Sequence, residues 1–358
     1  MKRSGCRRVF SFVLLIAAAL AIVVLHSTEW LASLGGRTRR TFRNTEPTRM
    51  ATGSFLEMMQ RQFFGDEPRE PAGAVPVVQR RAGDYATPPR SGLRATWMGW
   101  SSVLVEIDGR TILTDPVWSE RCSPSTIVGP KRFHRPPIAI DGLPHIDAVV
   151  ISHDHYDHLD MATIRALGAR GTHFAVPAGV GAHLRRWKIA EAQIHELEWN
   201  QTWAHGGLAI TATPARHYSG RNPLRPNETL WSSWVVKGPR HRIFFSGDTG
   251  YSAAFRTIGI EHGPFDLTLI KIGASDPTWS EIHMTPEEAV ATHRDVRGQV
   301  MLPVHWATFN LAFHAWREPA ERAVREAAAS GVRIVAPRPG ELVEPSNPSP
   351  LTSWWATL

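Results

Sequence analysis

Residues 146–160 read IDAVVISHDHYDHLD, an apolar run that breaks into three histidines and three aspartates within positions 151–160. The β-branched residues from Ile146 to Ile151 predict a buried strand, and the polar cluster is then a turn at its carboxyl end. Residues i and i+2 converge on one ion when a chain turns at a strand end, which brings His153 and His155 together. Asp157 and His158 fall one step further and can face a second ion. Imidazole and carboxylate donors without thiolate suit zinc, with iron or manganese as alternatives. Read alone, the loop also admits a mononuclear site or a solvated polar turn. Asp154 and Asp160 read as bystanders, and Tyr156 has no assigned role.

One loop cannot complete two coordination spheres, so other strand ends have to contribute. His217 closes LAITATPARH (208–217), Asp248 closes IFFSGD (243–248) and His305 closes VMLPVH (300–305). Each stands at the carboxyl end of an apolar strand, where α/β folds place their sites. Two metals held side by side activate water and clamp both oxygens of a displacement.

Leu93 marks a change of texture from a Pro-, Gly- and Arg-rich stretch to short strands and tight turns. VEIDGRTILTD (105–115) predicts a hairpin turning at Asp108-Gly109. TPEEAVATHRDV (285–296) predicts a helix with Thr285 as N-cap, Pro286 at the first position and Glu288 completing a capping box. EPAERAVREAAASG (318–331) predicts another, stopping at Gly331. Strands alternating with helices, plus antiparallel hairpins, imply an α/β layered fold.

TWMGWSSVLVEIDGRTILTDPVWSERCSPSTIVGPKRF (96–133), the HxHxDH loop, SGDTGY, GPFDL, PEEAV and HWATF together resemble the metallo-β-lactamase superfamily. Within it they are most similar to N-acylphosphatidylethanolamine-hydrolysing phospholipase D and its bacterial relatives, over roughly residues 93–345. The resemblance implies an αββα four-layer sandwich and a dinuclear zinc site. His153, His155 and His217 would hold one zinc and Asp157, His158 and His305 the other, with Asp248 between them. It further implies a phospholipid substrate, cleaved to phosphatidic acid and an N-acylethanolamine, with Asp248 orienting the nucleophile. His283, just before the capped helix, is the candidate for contacting the phosphate or leaving group, against the plainer reading of a capping or surface histidine. Lys271, in LTLIKIG, departs from the apolar residue or proline expected there.

Charge bears on partners. The formal net charge is +7, yet residues 1–43 hold eight basic side chains and one acid, while residues 44–358 hold 32 of each. A neutral body argues against nucleic acid as a partner, and the basic leader argues for a membrane surface. Residues 1–26 carry four basic residues ahead of an apolar run, Val9–Leu25, in which Ser11 is the one polar residue. That pattern predicts a signal anchor with the body in the periplasm, or, if cleaved, a secreted or periplasmic protein. Residues 27–92 read as a linker and lead-in, in which Phe55, Met58, Met59 and Phe63 predict a short amphipathic helix. Residues 346–358 read as a loosely held tail, Trp118 and Trp279 as candidates for an acyl groove, and the two cysteines, Cys6 and Cys122, give no disulfide framework. A homodimer is compatible with the sequence but not specified by it.

The expectation is therefore a membrane-anchored dinuclear phosphodiesterase acting on phospholipid. A lactonase or a phosphodiesterase for a small soluble substrate is the alternative on the same scaffold, because the pocket, not the metal, selects the electrophile. A membrane-bound metal-binding protein without turnover is the third reading.

Overall fold

The computed structural model describes residues 40–50, 55–222 and 224–358. The expected membrane segment, residues 1–26, lies outside the described residues, as do residues 27–39. Among the described residues no helix is long and apolar enough to cross a membrane.

Among the described residues, thirteen strands form two mixed sheets. The first begins with β1 (Leu93–Gly99), β2 (Ser102–Ile107) and β3 (Arg110–Thr114), an antiparallel meander. Asp108 and Gly109 both take positive φ at its second turn, as the Asp-Gly pair predicts. Parallel strands β4 (Ala148–Val150), β5 (His173–Pro177) and β6 (Ile194–Leu197) follow, and the short β13 (Leu342–Val343) pairs with β1 at the far edge. The second sheet starts with antiparallel β7 (Thr202–His205), β8 (Leu208–Thr213), β9 (Ser233–Lys237) and β10 (Arg242–Phe245). It ends in parallel strands β11 (Leu267–Lys271) and β12 (Met301–Val304).

Alternation along the strands splits the apolar residues between two layers. On β2, Val103, Val105 and Ile107 enter the main core shared with the second sheet, whereas Leu104 turns the other way. That outer face is covered by α2 (Met161–Gly168) and α3 (Gly181–Arg186), through Ile164, Leu167 and Leu184. The second sheet packs on α4 (Ala254–Glu261), α5 (Pro286–Asp295) and α6 (Glu318–Ala329). Helix α6 offers Ala320, Ala323 and Ala327, a spacing that lines one helix face with small side chains and permits close approach. The predicted capping box is formed: Thr285 Oγ1 accepts from the Glu288 amide and Glu288 Oε2 accepts from the Thr285 amide.

Two segments read as loose are built into the fold. The tail, residues 346–358, buries Trp354 and Trp355 against Trp306, with Trp306 stacked in turn on Trp97. The lead-in contributes buried Phe42, Val75 and Tyr85, and it carries the expected short helix, α1 (Phe55–Phe64).

Candidate metal centre

The parallel strands set the site. Asp115 leaves β3, the HxHxDH loop leaves β4, Asp248 follows β10 and His305 follows β12, so carboxyl ends from both sheets meet at one edge of the sandwich. His217 stands four residues past β8 rather than at its end; Pro214 interrupts the strand, and a bridge between Arg216 and Gly250 holds the extension.

Ring nitrogens of His153, His155 and His217 form one group, with His153 Nε2 2.8 Å and His217 Nε2 3.4 Å from His155 Nδ1. Asp157, His158, Asp248 and His305 form a second group. Asp248 Oδ2 faces both: it lies 3.3 Å from His158 Nε2, 3.0 Å from His305 Nε2 and 4.0 Å from His217 Nε2. His283 joins this carboxylate with Nδ1 at 3.8 Å, and with His217 and Asp248 it makes a third group of converging donors. It is therefore not the helix cap, a position taken by Thr285.

Outer partners fix how the rings present themselves. His158 Nδ1 lies 2.6 Å from Asp115 Oδ2, His153 Nδ1 2.8 Å from Ser152 Oγ, and His217 Nδ1 3.0 Å from the Ile282 carbonyl. Each contact commits the remote nitrogen and leaves Nε2 aimed at the centre, the device by which second partners orient metal-binding imidazoles. Asp115 is fully buried and also accepts from the Ser152 amide at 2.6 Å. Sequence reading missed it, although it directly follows an apolar strand, the signal that selected Asp248 and His305. Trp100 was missed as well: its indole donates to Asp157 Oδ2 at 3.1 Å, and its ring lies 3.9 Å from that of His305. Trp100, Asp115, Ala274, His305 and Ala307 all adopt positive φ, so backbone strain for non-glycine residues gathers at this edge. Gly273 is obligatory for closeness, since a Cβ there would lie 2.1 Å from the His305 carbonyl oxygen.

Asp154 and Asp160 serve the loop, not its centre. Asp154 accepts from the Gly220 amide at 2.8 Å, and Asp160 caps α2. Tyr156 carries the Arg221 guanidinium over its ring at 3.8 Å.

Electrostatically the centre is built for cations. Burial opposes charge on His158, but Asp248, Asp157 and Asp115 outweigh it and raise its pKa well above the usual imidazole range. Burial lowers His217 to about 3 and His153 well below its usual value, keeping both in the neutral form that ligates metal. Among the described residues, His158 Nε2, His305 Nε2, His283 Nδ1 and Asp248 Oδ1 are buried without a hydrogen-bond partner. Leaving such atoms unpaired costs about 1–3 kcal/mol each, and a divalent ion relieves that cost. The donor set, the neutral imidazoles of His153 and His217 and these orphaned atoms fit divalent cations. Lys271 lies fully buried on the floor, its Nζ donating to the Met284 carbonyl at 3.3 Å. Burial pulls its pKa down to about 8 despite the negative charges of Asp248 and Glu288.

Above the donors opens a cavity of about 450 Å³, walled by Tyr156, Tyr218, Trp279 and Ile282 with Met50 and Leu311 toward solvent. Trp279 is thus placed in the site, whereas Trp118 packs at the rim of the first sheet's outer core with its indole on the Ile138 carbonyl.

Comparison with known proteins agrees with this geometry. Residues 110–306 match the model of a β-lactamase superfamily domain. An uncharacterised protein of Mycobacterium tuberculosis is 53% identical over 269 residues, covering 74% of this chain and 72% of that one. N-acyl-phosphatidylethanolamine-hydrolysing phospholipase D 1 of Caenorhabditis elegans is 38% identical over 247 residues, covering 66% of this chain and 69% of that one. Among solved structures, a metallo hydrolase from the archaeon Ignicoccus hospitalis superposes with a TM-score of 0.54 at 23% identity, covering 70% of this chain and 97% of that one.

Proposed function

The chain belongs to the β-lactamase superfamily and is a metal-dependent hydrolase, and from that premise we propose that it is a dinuclear zinc phosphodiesterase of the phospholipase D type. Its substrates in this reading are N-acylphosphatidylethanolamine-like lipids, and its products phosphatidic acid and N-acylethanolamine. The observation that carries the reading is the position of Asp248, one carboxylate within 4.0 Å of imidazoles from both donor groups, beneath a cavity walled by aromatic and aliphatic side chains. The similarity to a phospholipase D of this specificity supports the choice of electrophile.

When bound, a pair of divalent ions supplies Lewis acidity and a nucleophilic water at neutral pH. His153, His155 and His217 would hold one ion, and Asp157, His158 and His305 the other. Asp248 spans the two groups, orients the nucleophile and accepts its proton. His283 stands beside Asp248 and at the cavity wall, where a phosphoryl or leaving-group oxygen is within its reach. Trp279, Ile282, Met50 and Leu311 exclude water around the ester and give lipid chains an apolar path. In this reading the two sheets and their helices form the αββα sandwich of the family, and the apolar run Val9–Leu25 tethers the body to the bilayer.

The test is a substrate panel with the metal-loaded protein: N-acylphosphatidylethanolamine in mixed micelles, a soluble phosphodiester, and lactones. Preferential turnover of the lipid supports the reading. Lactone hydrolysis with an inert lipid replaces it with the lactonase alternative.

A further inference from the structure

The segment SPSTIVGPKRF (123–133) belongs to the family-like stretch but supplies no donor to the metal centre. It forms a loop with pinned feet. A bridge joins Arg121 to Lys131, the Cys122 amide donates to the Pro130 carbonyl at 3.2 Å, and the Arg132 amide donates to the Glu120 carbonyl at 2.9 Å. The tip is folded on itself as well. Ser125 Oγ accepts from the Ile127 and Val128 amides at 3.1 and 3.2 Å, and Arg121 Nη1 donates to the Gly129 carbonyl at 2.5 Å. This ordered tip nevertheless presents two adjacent aliphatic side chains to solvent, Ile127 at 78% and Val128 at 41% exposure. Held in shape beforehand, they can be covered at little further cost in chain entropy.

The loop stands beside the mouth of the cavity. Cys122, at its foot, lines that cavity and packs with Trp100, Val117 and Phe309. Two residues beyond Phe309, Leu311 forms part of the mouth and is itself exposed. We propose that the tip, Ile127 and Val128, is the element that docks this protein on the surface of an anionic phospholipid bilayer, with Lys131 and Arg135 meeting the headgroup phosphates. An apolar tip collared by basic side chains is the pattern of interfacial insertion.

Charge selects this occupant. Residues 120–135 hold four basic side chains and one acid, whereas residues 44–358 as a whole balance, so the excess is local to the loop. Arg132 is buried and donates to the Val117 and His134 carbonyls. Arg121, Lys131 and Arg135 remain against Glu120, which pairs with Lys131 at 2.8 Å, and both Lys131 and Arg135 are exposed. Helix α1 also exposes Leu56 and Phe64, but Asp66, Glu67 and Glu70 follow it, and a negatively charged surface repels them. Contact is therefore made from the loop side. Docking there brings the mouth to headgroup level, so that the ester of a bilayer lipid reaches the donors without crossing water, a consequence that rests on the lipid reading above.

The experiment uses the full chain reconstituted into phosphatidylcholine liposomes with and without phosphatidylglycerol. Cys122 is buried, so with Cys6→Ser an environment-sensitive fluorophore can be placed on Thr126→Cys at the tip. The control label sits on Glu261→Cys, beside the exposed Ile260 at the end of α4. A nitroxide on the lipid acyl chains should quench the tip label at least about threefold more than the control, and more strongly with phosphatidylglycerol present. Because the label reports the tip alone, tethering through Val9–Leu25 does not mimic this result. Ile127→Asp with Val128→Asp should lose the quenching, and Lys131→Glu with Arg135→Glu should lose its dependence on phosphatidylglycerol, both with the native circular dichroism spectrum. Equal quenching at the two positions, or none at the tip, overturns the docking face. A tip label that escapes the nitroxide and is also shielded from aqueous iodide assigns the tip to a second copy of the chain or to its own leader instead. No readout involves turnover: a docked but inert protein fails the phospholipase reading alone, and an active protein with an unquenched tip fails the docking alone.

Discussion

Asn44 and His217 exchange two hydrogen bonds across 173 positions of sequence: the Asn44 amide nitrogen donates to the His217 carbonyl at 2.8 Å, and the His217 N–H donates to Asn44 Oδ1 at 3.0 Å. The same Oδ1 accepts from the Trp231 indole at 2.9 Å. A residue of the lead-in thereby fixes the backbone of a candidate metal ligand that stands beyond its strand, where the ladder no longer holds it. Asn44→Ala removes both bonds and strands the His217 amide. We expect a loss of about 2 kcal/mol in stability and at least tenfold weaker metal binding, read by urea denaturation and by zinc titration.

Among the described residues, Asp248 is the one carboxylate that faces both donor groups. Asp248→Asn keeps the shape and removes the charge. The expected result is a folded protein with no measurable hydrolysis and fewer than two bound metal ions per chain, checked by circular dichroism, turnover and elemental analysis. Unchanged turnover would remove the bridging role.

Asp115 acts through His158. Its carboxylate holds Nδ1 at 2.6 Å and contributes, with Asp157 and Asp248, to the raised pKa of that imidazole. Asp115→Asn removes the charge while leaving an acceptor in place, and metal affinity should fall about 10–100-fold. Calorimetric titration of the metal-free protein gives the number directly. A variant that binds as tightly as the wild type would show that Asp115 only fills space.

Much of this arrangement is readable in the chain because its signals are local. The capping box at Thr285, the Asp108-Gly109 turn and the HxHxDH loop each need only a few consecutive residues to be recognised. Strand ends carried the reading as far as His217, Asp248 and His305, and the same rule extends to Asp115 at the end of β3. Asn44 and Trp100 gave no such signal. Asn44 earns its place by contacts to residues 217 and 231, and Trp100 by contacts to residues 157 and 305, pairings that exist only once the two sheets are packed. The lead-in was misread for a related reason. Its proline- and arginine-rich composition describes a segment with little regular structure beyond α1, but composition carries no record of what that segment lies against.

His293 gives a pH dependence that is separable from the metals. It lies buried on α5 with Nδ1 2.8 Å from Thr268 Oγ1, and burial lowers its pKa to about 4. The unfolded chain, at about 6.5, takes up the proton first. The neutral ring therefore contributes its full stability above pH 6.5, and that contribution is lost as the pH falls toward 4, by about 3 kcal/mol in all. Urea midpoints of wild type and His293→Gln, taken from about pH 7.5 down to about pH 4, should converge as the medium acidifies. Parallel curves would show that His293 titrates normally.

The tail offers the sharpest test of how far tertiary packing reaches past the family-like region. NPSPLTSWWATL has the composition of a frayed terminus, with Pro348 and Pro350 disfavouring regular structure. Yet Trp355 is 2% exposed, its ring 5.3 Å from Trp306, and the Trp354 indole donates to the Ala336 carbonyl at 3.1 Å. Trp306 directly follows His305, so the tail packs behind the segment that delivers a candidate ligand to the centre. Trp355→Ala should cost about 3–5 kcal/mol, the usual range for deleting a buried large aromatic side chain. Because the lost packing lies behind His305, metal affinity should fall together with stability. Trp354→Phe keeps the ring and loses only the indole donor, and its expected cost is about 1 kcal/mol. Denaturation and zinc titration of both variants would decide the matter: equal and small effects would mean that the tail merely rests on the core.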